Sequence, residues 1–242
     1  MEKIINFRQL AEGAENKKGK SVRKKMIFRS GIVSEASTRD IDVLKRMGVN
    51  YIYDFRGQFE VAETPPLQNR SFNTINHDIV PQAAPRSYAR LDGMDGDMVR
   101  ANMTRRYATF FSQTSAYKPV IASILAQRTP AFLFHCSAGK DRTGIFGAIL
   151  MFALDYDIQA VKSEFLRINQ SQVDKLKHDL FKSLGKTGDT SHLDSQFTVL
   201  PEYFDAYTQA VLSTHASFDN YLETVADITP KIKEQLQETY LV

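Results

Sequence analysis

The residues best suited to covalent chemistry lie in one short segment, residues 131–144, which reads AFLFHCSAGKDRTG. Cys136, the only cysteine of the chain, follows an apolar run that predicts a central strand of a parallel sheet. Arg142 stands six positions later, where an apolar stretch over residues 144–154 predicts a buried helix. A loop that joins a strand to a helix N-terminus offers backbone N–H groups and the positive end of the helix dipole to an anion. The segment therefore predicts an anion-binding loop with a thiol at its base.

The residue types within this loop fit phosphate chemistry. Cysteines at helix N-termini reach pKa values of roughly 3.5 to 7.5, so Cys136 is the expected nucleophile for in-line attack on a bound phosphate. The planar fork of Arg142 suits two phosphate oxygens. Thr143 can donate a hydrogen bond to the cysteine sulfur, and His135 can orient the loop backbone. The expected phosphate-binding residues are Ser137, Ala138, Gly139, Lys140, Asp141, Arg142 and Thr143.

Two other interpretations of this segment are weaker. A lone cysteine is most often a small buried apolar residue. However, Arg142, Gly139 and Gly144 would coincide at these positions by chance only about once in three thousand cases, given average composition. A nucleotide-binding P-loop needs Ser or Thr after its lysine and an earlier glycine, and this chain has Asp141 and Phe134 at those positions.

The elements around the loop predict an α/β fold, with a central, mostly parallel sheet flanked by helices and a helical C-terminal part. Apolar or β-branched runs predict strands at residues 26–28, 49–55, 71–80 and 131–134. One helix is expected between an N-cap at Ser37 or Thr38 and a terminating Gly48, and a second over residues 99–126. Pro201 and Pro230 are expected to begin helices.

Two polar stretches interrupt this pattern. Residues 81–97 predict a long surface loop, and residues 185–195 predict a mobile segment. We expect a single domain over residues 1–242, in which residues 171–215 form a helical cap over the active site.

Composition and charge narrow the class of protein. Of 242 residues, 43% are hydrophobic and 24% are charged, which is typical of a globular chain rather than a disordered or coiled-coil one. A single cysteine excludes an intramolecular disulfide and a cysteine-rich zinc site. The first residues lack the pattern of a signal peptide, and the longest apolar run is too short to cross a bilayer. We therefore expect a cytoplasmic protein without membrane insertion, with export by another route left open.

The net charge of +3 says little about partners. The one dense basic run, over residues 17–25, can attract anionic lipid or nucleic acid. We interpret it as a solvated loop, because no nucleic-acid-binding module accompanies it.

The string HCSAGKDRTG resembles the signature of the cysteine-dependent phosphatases, which is His-Cys, five residues, then Arg and Ser or Thr. The fuller loop is similar to that of bacterial tyrosine phosphatases with an AGKDRTG segment, a group that includes secreted mycobacterial and listerial enzymes. Residues 6–8 (NFR), 28–31 (FRSG) and 54–56 (DFR) with Glu60 resemble further segments of this family. The likeness covers residues 4–170, although NFRQLAEG lacks the family's usual Asp and one Gly.

The resemblance implies a cysteine-phosphatase-like fold and a metal-independent phosphomonoester hydrolase without a cofactor. The expected activity is that of a protein-tyrosine phosphatase that works through a phosphocysteine intermediate, with dual specificity and phosphoinositide hydrolysis as further expectations. The expected partners are a phosphotyrosine protein or a phosphoinositide as substrate and phosphate as product or inhibitor, with no nucleic acid. The alternatives are a phosphate-binding pseudophosphatase and a sulfurtransferase of the rhodanese type, which also presents a loop cysteine after a strand.

The general acid has several candidates. The chain has no tryptophan, so the Trp-Pro-Asp loop that supplies the acid in many tyrosine phosphatases is absent. Asp141 is the first candidate, because the resemblance implies this loop position; the alternative is a structural carboxylate paired with a basic neighbour. Asp78 is the second candidate. Asp92, Asp95 and Asp97 follow.

Three other charged residues near the motifs have more than one interpretation. Lys140 is either a solvated lysine or a contact to a second phosphate of the substrate. Arg56 and Glu60 are expected to form a structural ion pair rather than to contact substrate.

Overall fold

The central feature of the fold is a five-stranded sheet in the order β1-β2-β5-β3-β4. A computed structural model describes residues 1–79, 94–127, 130–183, 185 and 188–242. The strands are β1 (Arg8–Gln9), β2 (Ile27–Ser30), β3 (Tyr51–Asp54), β4 (Asn73–Asn76) and β5 (Phe132–His135). β5 pairs in parallel with both β2 and β3, β4 pairs in parallel with β3, and β1 is antiparallel to β2. The predicted α/β fold with a mostly parallel sheet is therefore confirmed.

Strand β5 lies at the centre because every one of its side chains can be buried. Its side chains alternate between two hydrophobic clusters, as the two-residue period of a strand requires. Leu133 packs with Phe28 and Leu44 on one face, whereas Phe132 and Phe134 pack in the larger cluster on the other face. A strand that is buried on both faces holds the residue that follows it in a fixed position.

Helices cover the sheet and make up the C-terminal part. They are α1 (Thr38–Arg46), α2 (Gln58–Glu63), α3 (Gly96–Thr109), α4 (Lys118–Ala126), α5 (Asp141–Ala153), α6 (Ile158–Leu166), α7 (Gln170–Ser183), α8 (Asp194–Phe197), α9 (Pro201–Thr214), α10 (Phe218–Ala226) and α11 (Pro230–Tyr240). No helix within the described ranges is both long and apolar enough to cross a membrane.

The capping residues predicted from the sequence set several helix ends. Ser37 caps α1 by accepting a hydrogen bond from the N–H of Asp40, whose carboxylate accepts one in return from the N–H of Ser37. Gly48 follows the end of α1 at φ +76°, a conformation that favours glycine. Pro201 and Pro230 occupy first-turn positions of α9 and α11, as predicted.

Three sequence predictions need correction. The helix expected over residues 99–126 is interrupted by a 3₁₀ segment, Phe110–Tyr117, and restarts with Pro119 in the first turn of α4. Helix α5 begins at Asp141 rather than at residue 144. The segment predicted to be mobile contains a 3₁₀ turn, Ser191–Leu193, and then α8, because Leu193 and Phe197 bury their side chains in a cluster with Val173. Of the loop predicted over residues 81–97, residues 81–93 lie outside the described residues, and its last two residues begin α3.

Candidate active site

Cys136 stands directly after β5, at the carboxyl edge of the parallel strands. The thiol is buried, with 3% of the residue exposed. The hydroxyl of Thr143, in the first turn of α5, donates a hydrogen bond to the sulfur at 3.2 Å. The sulfur is thus held between the end of a rigid strand and the start of a buried helix, which is the position that the sequence predicted.

Each of four consecutive carbonyl oxygens of the loop accepts a hydrogen bond from a group outside residues 137–140. The oxygen of Cys136 accepts from His135 Nδ1 at 3.1 Å, that of Ser137 from the Ile32 N–H at 2.8 Å, that of Ala138 from Asn6 Nδ2 at 2.7 Å, and that of Gly139 from Arg29 Nη2 at 3.2 Å. In a planar trans peptide the carbonyl and the following N–H point in opposite directions. The N–H groups of residues 137–140 therefore turn away from these four donors.

The N–H groups of the loop remain available for a ligand. Within the described part of the chain, no atom accepts a hydrogen bond from the N–H groups of residues 137–142. Backbone N–H groups are strong donors that rarely stay unpaired. Together with the N-terminus of α5, these N–H groups have the arrangement expected of an anion-binding nest.

Glycine is required where the loop crosses strand β2. Gly139 has φ +72°, and a Cβ atom there would lie 2.5 Å from the backbone of Ser30 and Gly31. A Cβ on Gly31 would in turn lie 2.9 Å from the carbonyl oxygen of Ser137. The loop therefore packs directly on the end of β2, which the sequence did not reveal.

Arg142 is buried, and its guanidinium is paired with Glu60. Nη1 and Nη2 donate to the two oxygens of the Glu60 carboxylate at 2.5 and 2.8 Å, and Nη1 also donates to the carbonyl oxygen of Phe55 at 3.1 Å. Burial acts to lower the pKa of Arg142, but the hydrogen bonds and charge of Glu60 and the charge of Cys136 outweigh it and raise that pKa. Arg142 Nε makes no hydrogen bond within the described residues, so one donor is left for a ligand.

The Arg56–Glu60 ion pair expected from the sequence is wrong. Arg56 pairs instead with the buried carboxylate of Asp54, at 2.7 Å, and also donates to Ser34 Oγ at 2.9 Å. Glu60 reaches Arg142 because α2 turns its first helical turn towards the phosphate loop, where Ser137 Oγ donates to the same carboxylate. By residue type, Glu60 could pair with either Arg56 or Arg142. The direction of the side chains in the folded protein determines that it pairs with Arg142.

Asp141 uses only one of its carboxylate oxygens within the protein. Oδ1 accepts from Lys140 Nζ at 2.8 Å and from the hydroxyl of the buried Tyr107, whereas Oδ2 makes no hydrogen bond to any described residue. Burial acts to raise the pKa of Asp141, but the charges of Lys140 and Arg106 and the hydrogen bonds from Lys140 and Tyr107 outweigh it and lower that pKa. The pairing with Lys140 agrees with the structural interpretation, and the open Oδ2 agrees with the catalytic one.

Lys140 is not a solvated lysine. Only 3% of the residue is exposed, and Nζ is held by Asp141 and, at 3.3 Å, by the carbonyl oxygen of Thr198, which follows α8. The solvated interpretation is therefore wrong, and contact with a second phosphate stays a prediction.

The other acid candidates that the structure describes lie on segments outside the phosphate loop. Asp78 is exposed and follows β4, which is separated from β5 by β3 and thus lies about 10 Å across the sheet. Asp95 caps the N-terminus of α3, and Asp97 is exposed in its first turn, whereas Tyr107, which contacts Asp141, is near the other end of that helix. Along the axis, Asp95 is about 18 Å from Tyr107. Asp92 lies outside the described residues.

Sequence reasoning missed several residues that support the loop: Asn6, Arg29, Glu60, Tyr107 and Glu164. Three of them, Asn6, Arg29 and Glu60, lie in the segments that resemble the phosphatase family, and that was the signal available. Tyr107 and Glu164 lie on helices without such a signal, so only the tertiary structure brings them to the site.

Comparison with known proteins agrees with this geometry. The model of the tyrosine phosphatase family matches residues 1–242. A Cupriavidus necator protein, assigned by name to the tyrosine-protein phosphatases, is 27% identical over 229 residues, covering 93% of this chain and 82% of that protein. The triple specificity protein phosphatase PtpB of Mycobacterium tuberculosis is 27% identical over 254 residues and covers 90% of each chain.

Among solved structures, the core catalytic domain of the PP-IP phosphatase SIW14 from S. cerevisiae matches 86% of this chain and 92% of its own, with 12% identity and a TM-score of 0.36. That likeness is too slight to support a conclusion. The family model, in contrast, spans the entire sequence, and both bacterial relatives align over at least 90% of it. The chain therefore belongs to the tyrosine phosphatase family and is a protein-tyrosine phosphatase of the cysteine type.

Proposed function

We propose that this phosphatase hydrolyses phosphomonoesters through a phosphocysteine intermediate, with Cys136 as nucleophile, Arg142 and the loop N–H groups as phosphate ligands, and Asp141 as general acid and base. The observation that carries the proposal is the unpaired set of N–H groups of residues 137–142 around the thiol of Cys136. Such a nest stabilises negative charge both on the sulfur and on the equatorial phosphate oxygens. The roles of Ser137, Ala138, Gly139, Lys140 and Thr143 in phosphate binding follow from their place in this loop.

In the first step, the Cys136 thiolate attacks phosphorus, so that an S–P bond forms and the ester P–O bond breaks. The leaving oxygen takes a proton from Asp141 Oδ2. The sulfur accepts a hydrogen bond from Thr143 at 3.2 Å, and its charge interacts with the guanidinium of Arg142. Arg142 and the loop N–H groups stabilise the charge that spreads over the three non-reacting oxygens.

In the second step, the Asp141 carboxylate takes a proton from water, which attacks phosphorus and breaks the S–P bond. Phosphate leaves and the thiolate is restored. The lowered pKa of Asp141 favours the carboxylate that this step needs. The first step needs the protonated acid, which a bound phosphate dianion favours, because a nearby negative charge raises the pKa of a carboxyl group.

The proposal also covers the classes of phosphomonoester that the protein hydrolyses. We include phosphotyrosine, phosphoserine or phosphothreonine, and phosphoinositides, since one relative is named a triple specificity protein phosphatase. Phe59, on α2 beside Glu60, is 78% exposed and offers an aromatic face for the ring of phosphotyrosine. Parallel kcat/KM values on a phosphotyrosine peptide, a phosphoserine peptide and phosphoinositide vesicles test this range.

The nucleophile is tested with Cys136→Ser and p-nitrophenyl phosphate. We expect kcat to fall by at least about 10⁴-fold, because the hydroxyl has no low pKa and makes no covalent intermediate at a useful rate. Rapid acid quench of the wild type with ³²P-labelled peptide should trap labelled protein, and Cys136→Ser should trap none. Substantial turnover by Cys136→Ser would show that the nucleophile is wrongly assigned.

The two rival functions lose support from these findings. A pseudophosphatase usually lacks part of the machinery, whereas Cys136, Arg142 and Thr143 are all in place here. A rhodanese-type sulfurtransferase is disfavoured by the match to the tyrosine phosphatase family over residues 1–242. A thiosulfate-to-cyanide assay would detect such an activity directly.

A further inference from the structure

A buried charge cluster lies beneath the phosphate loop. Arg29, on β2, is fully buried, and its Nη1 donates to Glu164 Oε1 at 3.2 Å; Arg8 Nε donates to the same oxygen at 2.9 Å. Two buried arginines therefore share one oxygen of Glu164, and the half-exposed Arg167 lies 3.9 Å from the other oxygen, so positive charges outnumber the single buried carboxylate of the cluster. A buried charge costs much free energy unless it is paired, so its position calls for an explanation.

Two glycines of helix α5 lie beside the guanidinium of Arg29. A Cβ atom on Gly144 would lie 3.8 Å from Arg29 Nη2, and one on Gly147 would lie 3.4 Å from Nη1. The two glycines stand three residues apart and so share one face of the helix. A Cβ at either position would be in ordinary van der Waals contact with the guanidinium, which therefore packs against the first turns of α5.

The second contact of Arg29 is with the loop itself. Its Nη2 donates to the carbonyl oxygen of Gly139 at 3.2 Å. Because the Gly139–Lys140 peptide is planar and trans, holding this oxygen from beneath turns the N–H of Lys140 towards the opposite side, where phosphate binds. Arg29 is thus the only charged donor among the four groups that hold consecutive loop carbonyls in the described structure.

We propose that Arg29, held by Glu164, is a positioning residue of the phosphate loop, which orients the N–H of Lys140 and places a buried positive charge under the bound phosphate. The proposal rests on the phosphate-binding role proposed above for this loop. In support, the charge of Cys136 acts with that of Glu164 to raise the pKa of Arg29 against the larger opposite effect of burial, as expected for two charges that interact through the loop.

Other charged or titratable groups face the same region from each neighbouring element. They are Arg8 from β1, His135 from β5, Tyr107 from α3, Tyr117 from the 3₁₀ segment, Arg142 and Asp141 from α5, Glu164 from α6, and Arg167 just after α6. A control is therefore needed that changes the charge of the cluster without touching the loop.

Arg8→Met is the control for Arg29→Met, since Arg8 makes no hydrogen bond to residues 136–140 in the described structure and reaches the loop only indirectly, through the carbonyl oxygen of Asn6 at 3.3 Å. Each variant removes one positive charge and leaves the other arginine paired with Glu164, but only Arg29→Met removes the contact with Gly139. The first measurement is the dissociation constant of inorganic phosphate by titration calorimetry. The second is the pH midpoint of Cys136 alkylation by iodoacetamide. Neither needs a phosphocysteine intermediate, so a failure here is distinguishable from a failure of the catalytic mechanism.

We expect Arg29→Met to weaken phosphate binding about tenfold or more, the usual effect of losing a charge-assisted hydrogen bond. Its alkylation midpoint should rise by about one pH unit, as for a thiol that loses a nearby positive charge. Arg29→Lys, which keeps the charge, should restore most of the midpoint but only part of the phosphate affinity. Arg8→Met should stay within about twofold of wild type in phosphate binding.

A purely structural role predicts a different result. Melting temperatures would then fall for both arginine variants, while phosphate affinity and the alkylation midpoint of the folded protein would be equal in Arg29→Met and Arg8→Met. That equality would overturn the proposal. If Arg29→Met does not fold, Arg29→Lys decides instead, since wild-type phosphate affinity in that variant would show that the forked contact with Gly139 is not needed.

Discussion

At the scale of single residues, Asp141 is the group proposed as general acid and base. It lies at the start of α5 with Lys140 and Tyr107 on one oxygen and the other oxygen open. Asp141→Asn keeps an acceptor for both neighbours but removes the proton that the leaving group needs. We therefore expect a specific chemical defect and not a collapse of the loop.

Asp141→Asn should lower kcat on a phosphotyrosine peptide by about 10² or more, the usual contribution of a general acid. The loss should be much smaller on p-nitrophenyl phosphate, because p-nitrophenolate leaves without protonation. Asp78→Asn provides the comparison, since it makes the same exchange at the second candidate. If Asp78→Asn gave the leaving-group-dependent loss and Asp141→Asn did not, the acid would be Asp78.

For Glu60, we predict a pH-dependent contribution to the stability of the folded protein. Burial acts to raise its pKa, but the hydrogen bonds and charge of Arg142, with the hydroxyl of Ser137, outweigh it and lower the pKa from 4.5 to about 2. A carboxyl group with a lowered pKa stabilises the folded state above its unfolded pKa, and the contribution is lost as the pH falls towards the folded value. The stabilisation by Glu60 is thus present above pH 4.5 and disappears between pH 4.5 and about 2.

Glu60→Gln should therefore lower the free energy of unfolding near pH 7 by about 1 kcal/mol, a figure already reduced for solvent screening of a carboxylate that is one-third exposed. Urea titrations from pH 7 down to pH 3 should show this difference shrinking. Glu63→Gln, an exposed position on the same helix, is the matched control and should show no such trend. A difference that stays constant down to pH 3 would contradict the pairing of Glu60 with Arg142.

At the scale of elements, the phosphate loop depends on its backbone contact with the end of β2. Gly139 combines a positive φ of +72° with the absence of space for a side chain, because a Cβ would lie 2.5 Å from backbone atoms of Ser30 and Gly31. Gly19 has nearly the same φ, +69°, but no atom lies within 4 Å of its Cβ position. A comparison of alanine substitutions at the two positions therefore distinguishes the cost of a positive φ from the cost of a steric clash.

Gly19→Ala should cost about 1 kcal/mol of stability, the usual penalty for a left-handed backbone at a residue with a Cβ, and leave kcat/KM unchanged. Gly139→Ala should cost more than this and also lower kcat/KM by about 10² or more, since displacement of a positioned group by 1 Å has effects of that size. Denaturant titration and steady-state kinetics on both variants check the prediction. Equal effects of the two substitutions would mean that the loop tolerates movement away from β2.

At the scale of the whole molecule, helices α9 to α11 and the sheet share one hydrophobic cluster, whereas α7 and α8 pack with α3 in a separate one. The first cluster runs from Leu10 to Leu241, and Tyr240 packs its ring against Phe132 of the central strand. Lys140 also reaches the carbonyl oxygen of Thr198 from within the phosphate loop. The hydrogen bond from Lys140 to Thr198 connects the phosphate loop with the segment expected to act as a cap, residues 171–215.

We expect the chain to unfold as one cooperative unit, as its prediction as a single domain implies. Thermal unfolding followed by far-UV and near-UV circular dichroism should give coincident transitions. Calorimetry should give a van't Hoff enthalpy equal to the measured enthalpy. A separate transition at lower temperature that disappears when phosphate is added would instead indicate that residues 171–215 unfold independently as a cap.

Local sequence determined those features of this protein that depend on neighbours along the chain. The apolar run before Cys136, the N-cap expected at Ser37 or Thr38 and the prolines of α9 and α11 predicted their elements correctly, because burial, capping and proline geometry act within a few residues. Cys136 and Arg142 were found in the same way, since a strand–loop–helix unit is a local structure. Interruption of the long helix at Phe110 was missed, because tertiary packing overrode local helix preference.

Only the tertiary structure decided which side chains serve the loop. Glu60 pairs with Arg142 and not with Arg56, Tyr107 reaches Asp141 from a distant helix, and Glu164 holds Arg29 beneath Gly139. Carboxylates, hydroxyls and guanidinium groups each have several acceptable partners, so residue type alone does not select among them. The selection comes from the parallel pairing of β2, β5 and β3, which brings segments more than 100 residues apart to one edge of the sheet and leaves each donor within reach of a single carbonyl.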